Sequence, residues 1–292
     1  MSEHNELKKA VLLGLFDGVH IGHQAALKEL NRCGAAKKLI YTFISNEVDT
    51  KGERKLLLTD CEKRQMLLSN GADDVVFADF KSVRNMECRD FCRSVLKDEL
   101  NADIVLCGED FRFGKGASGD SDVLKKECSR LGQRVIIVPT VMHGNTAVST
   151  TRIRELILNG KIKEANSLLG YSYFISGEVV HGKAFGRQMG IRTINIAFDP
   201  SKLIPKFGVY STDVMINGRR FKGITNVGTK PTVSKSNTIS IETHILDFEG
   251  DLYNDTASIY FKDYYREERK FSSAEELKLT ICQDIQRRKD EA

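Results

Sequence analysis

The chain has 292 residues, 41% hydrophobic and 29% charged, with a formal net charge of +4. That length points to two domains, and so small a positive balance gives little support to a nucleic-acid binder while suiting ligands that carry phosphates. No apolar stretch is long enough to span a bilayer, and the opening "MSEHNELKKA" is too polar for a secretory signal, so the cytoplasm is the expected location. Through residue 170 the runs "AVLLGLF", "KKLIYTF", "DDVVFADF", "ADIVLCG" and "RVIIVPT" read as strands, with helical segments between most of them. Thr59 with Glu62 makes a capping box and Gly71 a helix stop. "MECRDFCRSVLKDEL" and "DVLKKECSRLG" supply further helices. This alternation predicts an α/β, Rossmann-like N-terminal domain with a parallel sheet, its ligands at the carboxyl ends of the strands. "STTRIRELILNGKIKEANSLLG" predicts two short helices stopped by Gly160 and Gly170. Beyond Gly170 the texture changes to short strands with turn signals, Asn217-Gly218 being a two-residue hairpin. A small antiparallel β-barrel follows from that pattern, closed by a C-terminal helix capped by Ser272 with Glu275. The expected domains are therefore residues 1–170 and 171–292. Seven cysteines with no Cys-x-x-Cys read as reduced thiols, and Cys88 and Cys92 as packing residues rather than metal ligands.

The chemistry begins after the first strand, at "GLFDGVHIGH". Gly14 and Gly18 allow a tight backbone turn through Phe16 and Asp17, and Gly22 allows a ligand to approach the backbone. A helix starting near Gly22 aims free N–H groups and the positive end of its dipole at the loop. His20 and His23 flank that start and can donate hydrogen bonds to phosphate without a permanent charge. Such equipment suits nucleotidyl transfer, which needs two substrates in line and stabilised developing charge, not a protein nucleophile. Further along, Ser149, Thr150 and Thr151 can cap a helix and offer hydroxyls to phosphate. Arg152 and Arg154 can reach phosphate oxygens as forked donors. "GEDFRFG", read alone, is a glycine-bounded turn burying Phe111 and Phe113.

In the second half, "GEVVHGKAFGRQMGIRTINI" carries Gly182, Gly186 and Gly190, which could let a loop fold over phosphates. Thr193 and Asn195 alternate on the strand that follows and so share a face. In "ISIETHIL", Ser240, Glu242 and His244 share one face of a strand, which by itself describes a carboxylate pointing into water.

Together these segments resemble the bifunctional riboflavin kinase/FAD synthetase family, over nearly the whole chain and in the family's order. "GLFDGVHIGH" is similar to the signature of its nucleotidylyltransferase domain. "GEDFRFGKGASGD" resembles a second motif and "STTRIR" a third, normally Ser-Ser-Thr-x-x-Arg, whose closing arginine matches Arg154. The resemblance implies ATP-dependent phosphorylation of riboflavin to FMN in the barrel and adenylylation of FMN to FAD, with release of pyrophosphate, in the first domain. It implies Glu242 as general base on the ribityl hydroxyl, Thr193 and Asn195 as holders of Mg²⁺, and Asp110, Phe111, Arg266 and Glu268 near the flavin. Its partners would be the small molecules riboflavin, FMN and ATP, with no nucleic acid and no membrane; the oligomeric state is left open.

Three positions depart from the family pattern. Ile44-Ser45-Asn46-Glu47 stands where Pro-His-Pro is usual. Arg192-Thr193-Ile194-Asn195 replaces Pro-Thr-Ala-Asn, and Asn254 replaces a glycine. The first bears on the adenylyl-transfer site and keeps open a chain in which only the kinase is active. A flavin- or nucleotide-sensing binding protein is the alternative of another class.

Overall fold

The computed structural model describes residues 8–45, 55–181, 191–230 and 238–291. The chain divides into two compact units, 1–150 and 151–292. No helix among the described residues is long and apolar enough to cross a membrane.

The first unit holds a five-stranded parallel sheet of β1 (Lys9–Leu13), β2 (Lys37–Phe43), β3 (Asp74–Ala78), β4 (Ile104–Gly108) and β5 (Arg134–Val138). The strand order is β3-β2-β1-β4-β5. β1 is the central strand and β4 its neighbour, so Ala10–Leu13 and Ile104–Cys107 are uninterrupted buried apolar runs. A parallel strand covered on both faces requires that composition. The order reverses between β1 and β4, and the crevice at the carboxyl ends there is where such sheets bind ligands. Helix α1 (Ile21–Arg32) follows β1 and buries Ala26, Leu27 and Leu30. Helix α2 (Asp60–Ser69) opens on the expected capping box: Thr59 Oγ1 accepts from the Glu62 N–H (3.2 Å) and Glu62 Oε2 from the Thr59 N–H (2.8 Å). Segment 88–99 begins as an α-helical turn and continues as a π-helix over Phe91–Glu99. It places Cys92 against Cys128 in the apolar core, where both are packing residues.

A short antiparallel pair, β6 (Met142–His143) and β7 (Thr146–Ala147), closes the first unit. The second unit is a closed antiparallel barrel of β8 (Phe174–Val180), β9 (Ile194–Phe198), β10 (Gly208–Ile216), β11 (Arg219–Lys230), β12 (Thr238–Ile245) and β13 (Thr256–Arg266). The hairpin between β10 and β11 turns at Asn217 (φ 50°) and Gly218 (φ 71°), the left-handed pair that the Asn-Gly sequence favours. Asn254 likewise takes φ 67°. The C-terminal helix spans Ala274–Asp290, and its cap lies one residue later than expected. Ser273 accepts from the Glu276 N–H, while Ser272 donates to the Glu276 carboxylate. The two short helices at Thr150–Leu158 and Ile162–Leu169 pack on the barrel, so the compact units part at 150/151 rather than near Gly170. The Asn166 amide donates to the Phe261 carbonyl (2.9 Å) and accepts from the Tyr173 N–H (2.8 Å), and Lys163 pairs with Asp263 (2.9 Å). A sequence reading sees the glycine stops but not these long-range bonds.

Candidate active sites

The loop after β1 turns through left-handed backbone at Phe16 (φ 50°), Gly18 (φ 80°) and Val19 (φ 36°). Non-glycine residues held there carry strain of about 1–3 kcal/mol each, which surrounding structure must maintain. Here the Gly14 N–H donates to the Tyr41 carbonyl (3.2 Å), Thr42 Oγ1 to the Leu15 carbonyl (3.1 Å) and the Leu57 N–H to Asp17 Oδ1 (3.3 Å). Gly14 is required by space: a Cβ there would lie 2.9 Å from the Phe16 ring.

His20 caps α1, its Nδ1 accepting from the His23 N–H at 3.4 Å. That bond leaves the proton on Nε2, which is then a donor. The two imidazoles stack at 3.7 Å and 15°, with Phe16 5.2 Å from His23. His20 is 7% exposed. Burial lowers its pKa to about 4, against the opposing pull of the Asp17 and Asp110 carboxylates. Burial, with His20 and the Lys63 ammonium adding to it, holds His23 well below 6.5. Both rings are therefore uncharged near neutral pH. Nδ1 of His23 is buried and has no hydrogen-bond partner among the described residues.

These residues open onto a cavity of about 690 Å³ at the carboxyl ends of β1, β2, β4 and β5. Of the residues singled out in the sequence, Gly14, Phe16, Asp17, His20, Gly22, His23, Asp110, Phe111, Ser149 and Thr150 line it. Gly18 shapes the loop without lining the cavity. Thr151 is exposed and Arg154 buried, both on the helix Thr150–Leu158 and both within the second compact unit. Aromatic rings make much of the wall. Phe43 meets Phe80 edge-on at 5.2 Å, Phe111 stacks on Phe113 at 5.7 Å, and Phe91 tilts on Phe113 at 5.6 Å.

Where Pro-His-Pro is usual, Ile44 and Ser45 lead from β2, while Asn46 and Glu47 lie outside the described residues. Ser45 Oγ donates to Asp60 Oδ1 (2.5 Å) and accepts from Lys63 Nζ (2.8 Å). Lys63, 2% exposed, also donates to the Phe43 carbonyl (3.2 Å) and pairs with Asp60 (3.1 Å). A buried lysine, hydrogen-bonded to Ser45 and the Phe43 carbonyl and paired with the half-exposed Asp60, thus holds the end of β2 where the proline-rich segment is usual.

In the barrel, Glu242 on β12 pairs in register with Asn195 on β9 and with Asn226 on β11. Residues directly opposite on adjacent strands share a face, so the three side chains form one row. Asn195 is buried and Glu242 half-buried. Thr193 lies just before β9 rather than on it, and is exposed. Thr193 and Asn195 both line a cavity of about 270 Å³ with Arg192, His244 and Tyr253. His244 Nδ1 donates to the Arg192 carbonyl (2.7 Å), and His181 stacks on Tyr253 at 3.6 Å. The Arg266 guanidinium is bound to Asp284 of the C-terminal helix (2.8 and 3.1 Å), whereas Glu268 accepts from Asn226 Nδ2 (2.9 Å). Gly182, Gly186 and Gly190 lie outside the described residues.

The chain matches the family described as FAD synthetase over residues 2–152 and that described as riboflavin kinase over residues 169–291. It is 33% identical to the bifunctional riboflavin kinase/FMN adenylyltransferase of Listeria monocytogenes, over 97% of this chain and 92% of that protein. Identity to the protein of that name from Escherichia coli is 32%, over 93% of this chain and 89% of the other. The chain belongs to the bifunctional riboflavin kinase/FMN adenylyltransferase family. A crystal structure from Streptococcus pneumoniae, described as a macrolide-efflux protein, shares the fold with TM-score 0.89 and 29% identity, over 99% of this chain and 96% of the other.

Within this member of the riboflavin kinase/FMN adenylyltransferase family, several site residues escape sequence reasoning. Phe43, Phe80 and Phe91 look like ordinary core aromatics in the sequence and reach the first cavity only through the sheet. Asn226 carries no spacing signal, since its partner Glu242 is on another strand. The Asn-x-Gly within "GITNVGT", polar and small on a strand of this length, is the one local hint.

Proposed function

We propose that this chain phosphorylates riboflavin with ATP at the barrel site and adenylylates the resulting FMN with a second ATP at the α/β site. The observation that carries the second half is a single cavity with an aromatic wall and a helix N-terminus bearing two uncharged imidazoles. The wall suits a flat flavin ring. The helix start suits the ATP phosphates. An FMN phosphate oxygen attacks the α-phosphorus and pyrophosphate leaves. The imidazole N–H groups supply hydrogen bonds to the charge that develops, and their neutrality spares the site a proton change.

At the barrel, Glu242 takes the proton of the ribityl 5′-hydroxyl as its oxygen bonds to the γ-phosphorus, and ADP leaves. Thr193 and Asn195 would hold Mg²⁺. A hydroxyl and a carboxamide are hard oxygen donors on one cavity wall, and magnesium commonly takes only one or two protein groups, completing its shell with water and phosphate. When bound, the ion neutralises phosphate charge. The residue roles given to Arg154, Asp110, Arg266 and Glu268 belong to the same proposal, as does a cytoplasmic location.

The deciding experiment incubates the protein with riboflavin, ATP and Mg²⁺ and separates the flavins by chromatography. FMN and FAD together are expected. FMN alone would favour an idle adenylyl-transfer site, consistent with the replaced Pro-His-Pro. Binding without any product would favour a flavin sensor.

A further inference from the structure

In the run Arg266-Glu267-Glu268-Arg269 the charges do not pair with one another. Arg266 binds Asp284, Arg269 bonds to Thr280 (2.9 Å) and lies 3.7 Å from Glu276, and Glu267 binds Lys206 (2.8 Å). Glu268 instead crosses to β11. It accepts from Asn226 Nδ2, and its carboxylate rests on Gly228, where a Cβ would lie 2.5 Å from its Cδ and 2.7 Å from its Oε2. Any Cβ there would push the carboxylate, the end of an exposed and flexible side chain, off this position. Asn226 stands opposite Glu242 in the β11–β12 register.

We propose that Asn226 and Gly228 are positioning residues of the kinase reaction, forming a seat that presents the Glu268 carboxylate to the N–H and O–H donors of the flavin substrate beside Glu242. The seat is neutral. A carboxylate held by one amide keeps most of its acceptor sites for a ligand, whereas one paired with a guanidinium does not. An amide also leaves the charge of Glu268 uncompensated, so donors from a polyol or an imide gain the strength of a charge-assisted bond. Asn226 links this substrate contact to the strand that carries the base. The inference rests on the kinase reading above.

The test measures riboflavin kinase KM and kcat, and riboflavin Kd by quenching of flavin fluorescence. It uses the wild-type chain, N226A, G228A, E268D and the double variant G228A/E268D. FMN adenylylation in the other unit and the thermal midpoint serve as checks on folding. Loss of a hydrogen bond to a charged group predicts a KM and Kd about tenfold higher in N226A and G228A, with kcat changed by less than about threefold. Shortening the side chain retracts the carboxylate by about 1.5 Å and clears the added Cβ. G228A should therefore cost little in the E268D background, an epistasis that a general packing defect does not produce. Unchanged Kd in both N226A and G228A overturns the proposal, as does simple additivity of G228A and E268D. N226A adds no atoms, so it decides the matter if G228A fails to fold. If the wild type binds riboflavin without turnover, the kinase reading falls and the seat is judged on Kd. If it neither binds nor phosphorylates riboflavin, both fall.

Discussion

The two sites are built on opposite principles. In the α/β unit the two imidazoles at the helix start are uncharged, set in a cavity of about 690 Å³ with aromatic walls. In the barrel the proposed working groups form a row of one carboxylate and two carboxamides across β9, β11 and β12, with Glu242 and Asn226 half-buried and Asn195 buried. The difference follows from the chemistry. Adenylyl transfer to an existing phosphate has no hydroxyl proton to remove, so it needs positioning and neutral donors. Phosphorylation of an alcohol needs a base placed to take the hydroxyl proton.

The largest expected effect is a double dissociation. Glu242→Gln should lower FMN formation by about 10²-fold or more and leave FMN adenylylation near the wild-type rate. His20→Ala with His23→Ala should do the reverse, at about 10²–10³-fold. Chromatographic assays with riboflavin or with FMN as the starting flavin separate the two, and parallel loss of both activities in either variant would break the two-site assignment.

The next effect concerns pH. With His20 at about 4 and His23 also well below 6.5, adenylylation should show no histidine inflection between about pH 5.5 and about pH 8. Stability carries the complementary sign. The unfolded chain binds protons on these rings first as pH falls, so the contribution of neutral His20 is complete above pH 6.5 and is lost as pH falls through about 4. The drop in thermal midpoint from about pH 7 to about pH 5 should be smaller in His20→Asn than in wild type.

The smallest effect tests the loop. Gly14→Ala sets a methyl 2.9 Å from the Phe16 ring. Displacing that ring should cost about 1–3 kcal/mol and slow adenylylation while sparing the kinase. A thermal midpoint equal to wild type would show that the ring yields freely.

Much of this was legible in the amino-acid order. The strand–helix alternation, the capping box at Thr59, the hairpin at Asn217-Gly218 and the histidine pair at a helix start are local signals, decided within a few residues. The cap of the last helix was misplaced by one residue because Ser272 and Ser273 are both good caps and only the geometry chooses between them. The assignment of the two short helices to the barrel unit depends on Asn166 reaching Phe261 and Tyr173, and the first of these lies 95 residues away.

Sequence by itself determined the elements and the family and singled out His20, His23 and Glu242 as candidate reactive groups, because each signal lies within one contiguous segment. Tertiary structure decided what those groups are able to do. It buried the imidazoles until they lost their charge, exchanged a missing proline-rich loop for a lysine bound to Ser45 and Asp60, and turned Glu268 away from its neighbouring arginines onto Asn226 and Gly228. Desolvation and close contact are sums over residues distant in the chain, and no local pattern contains them.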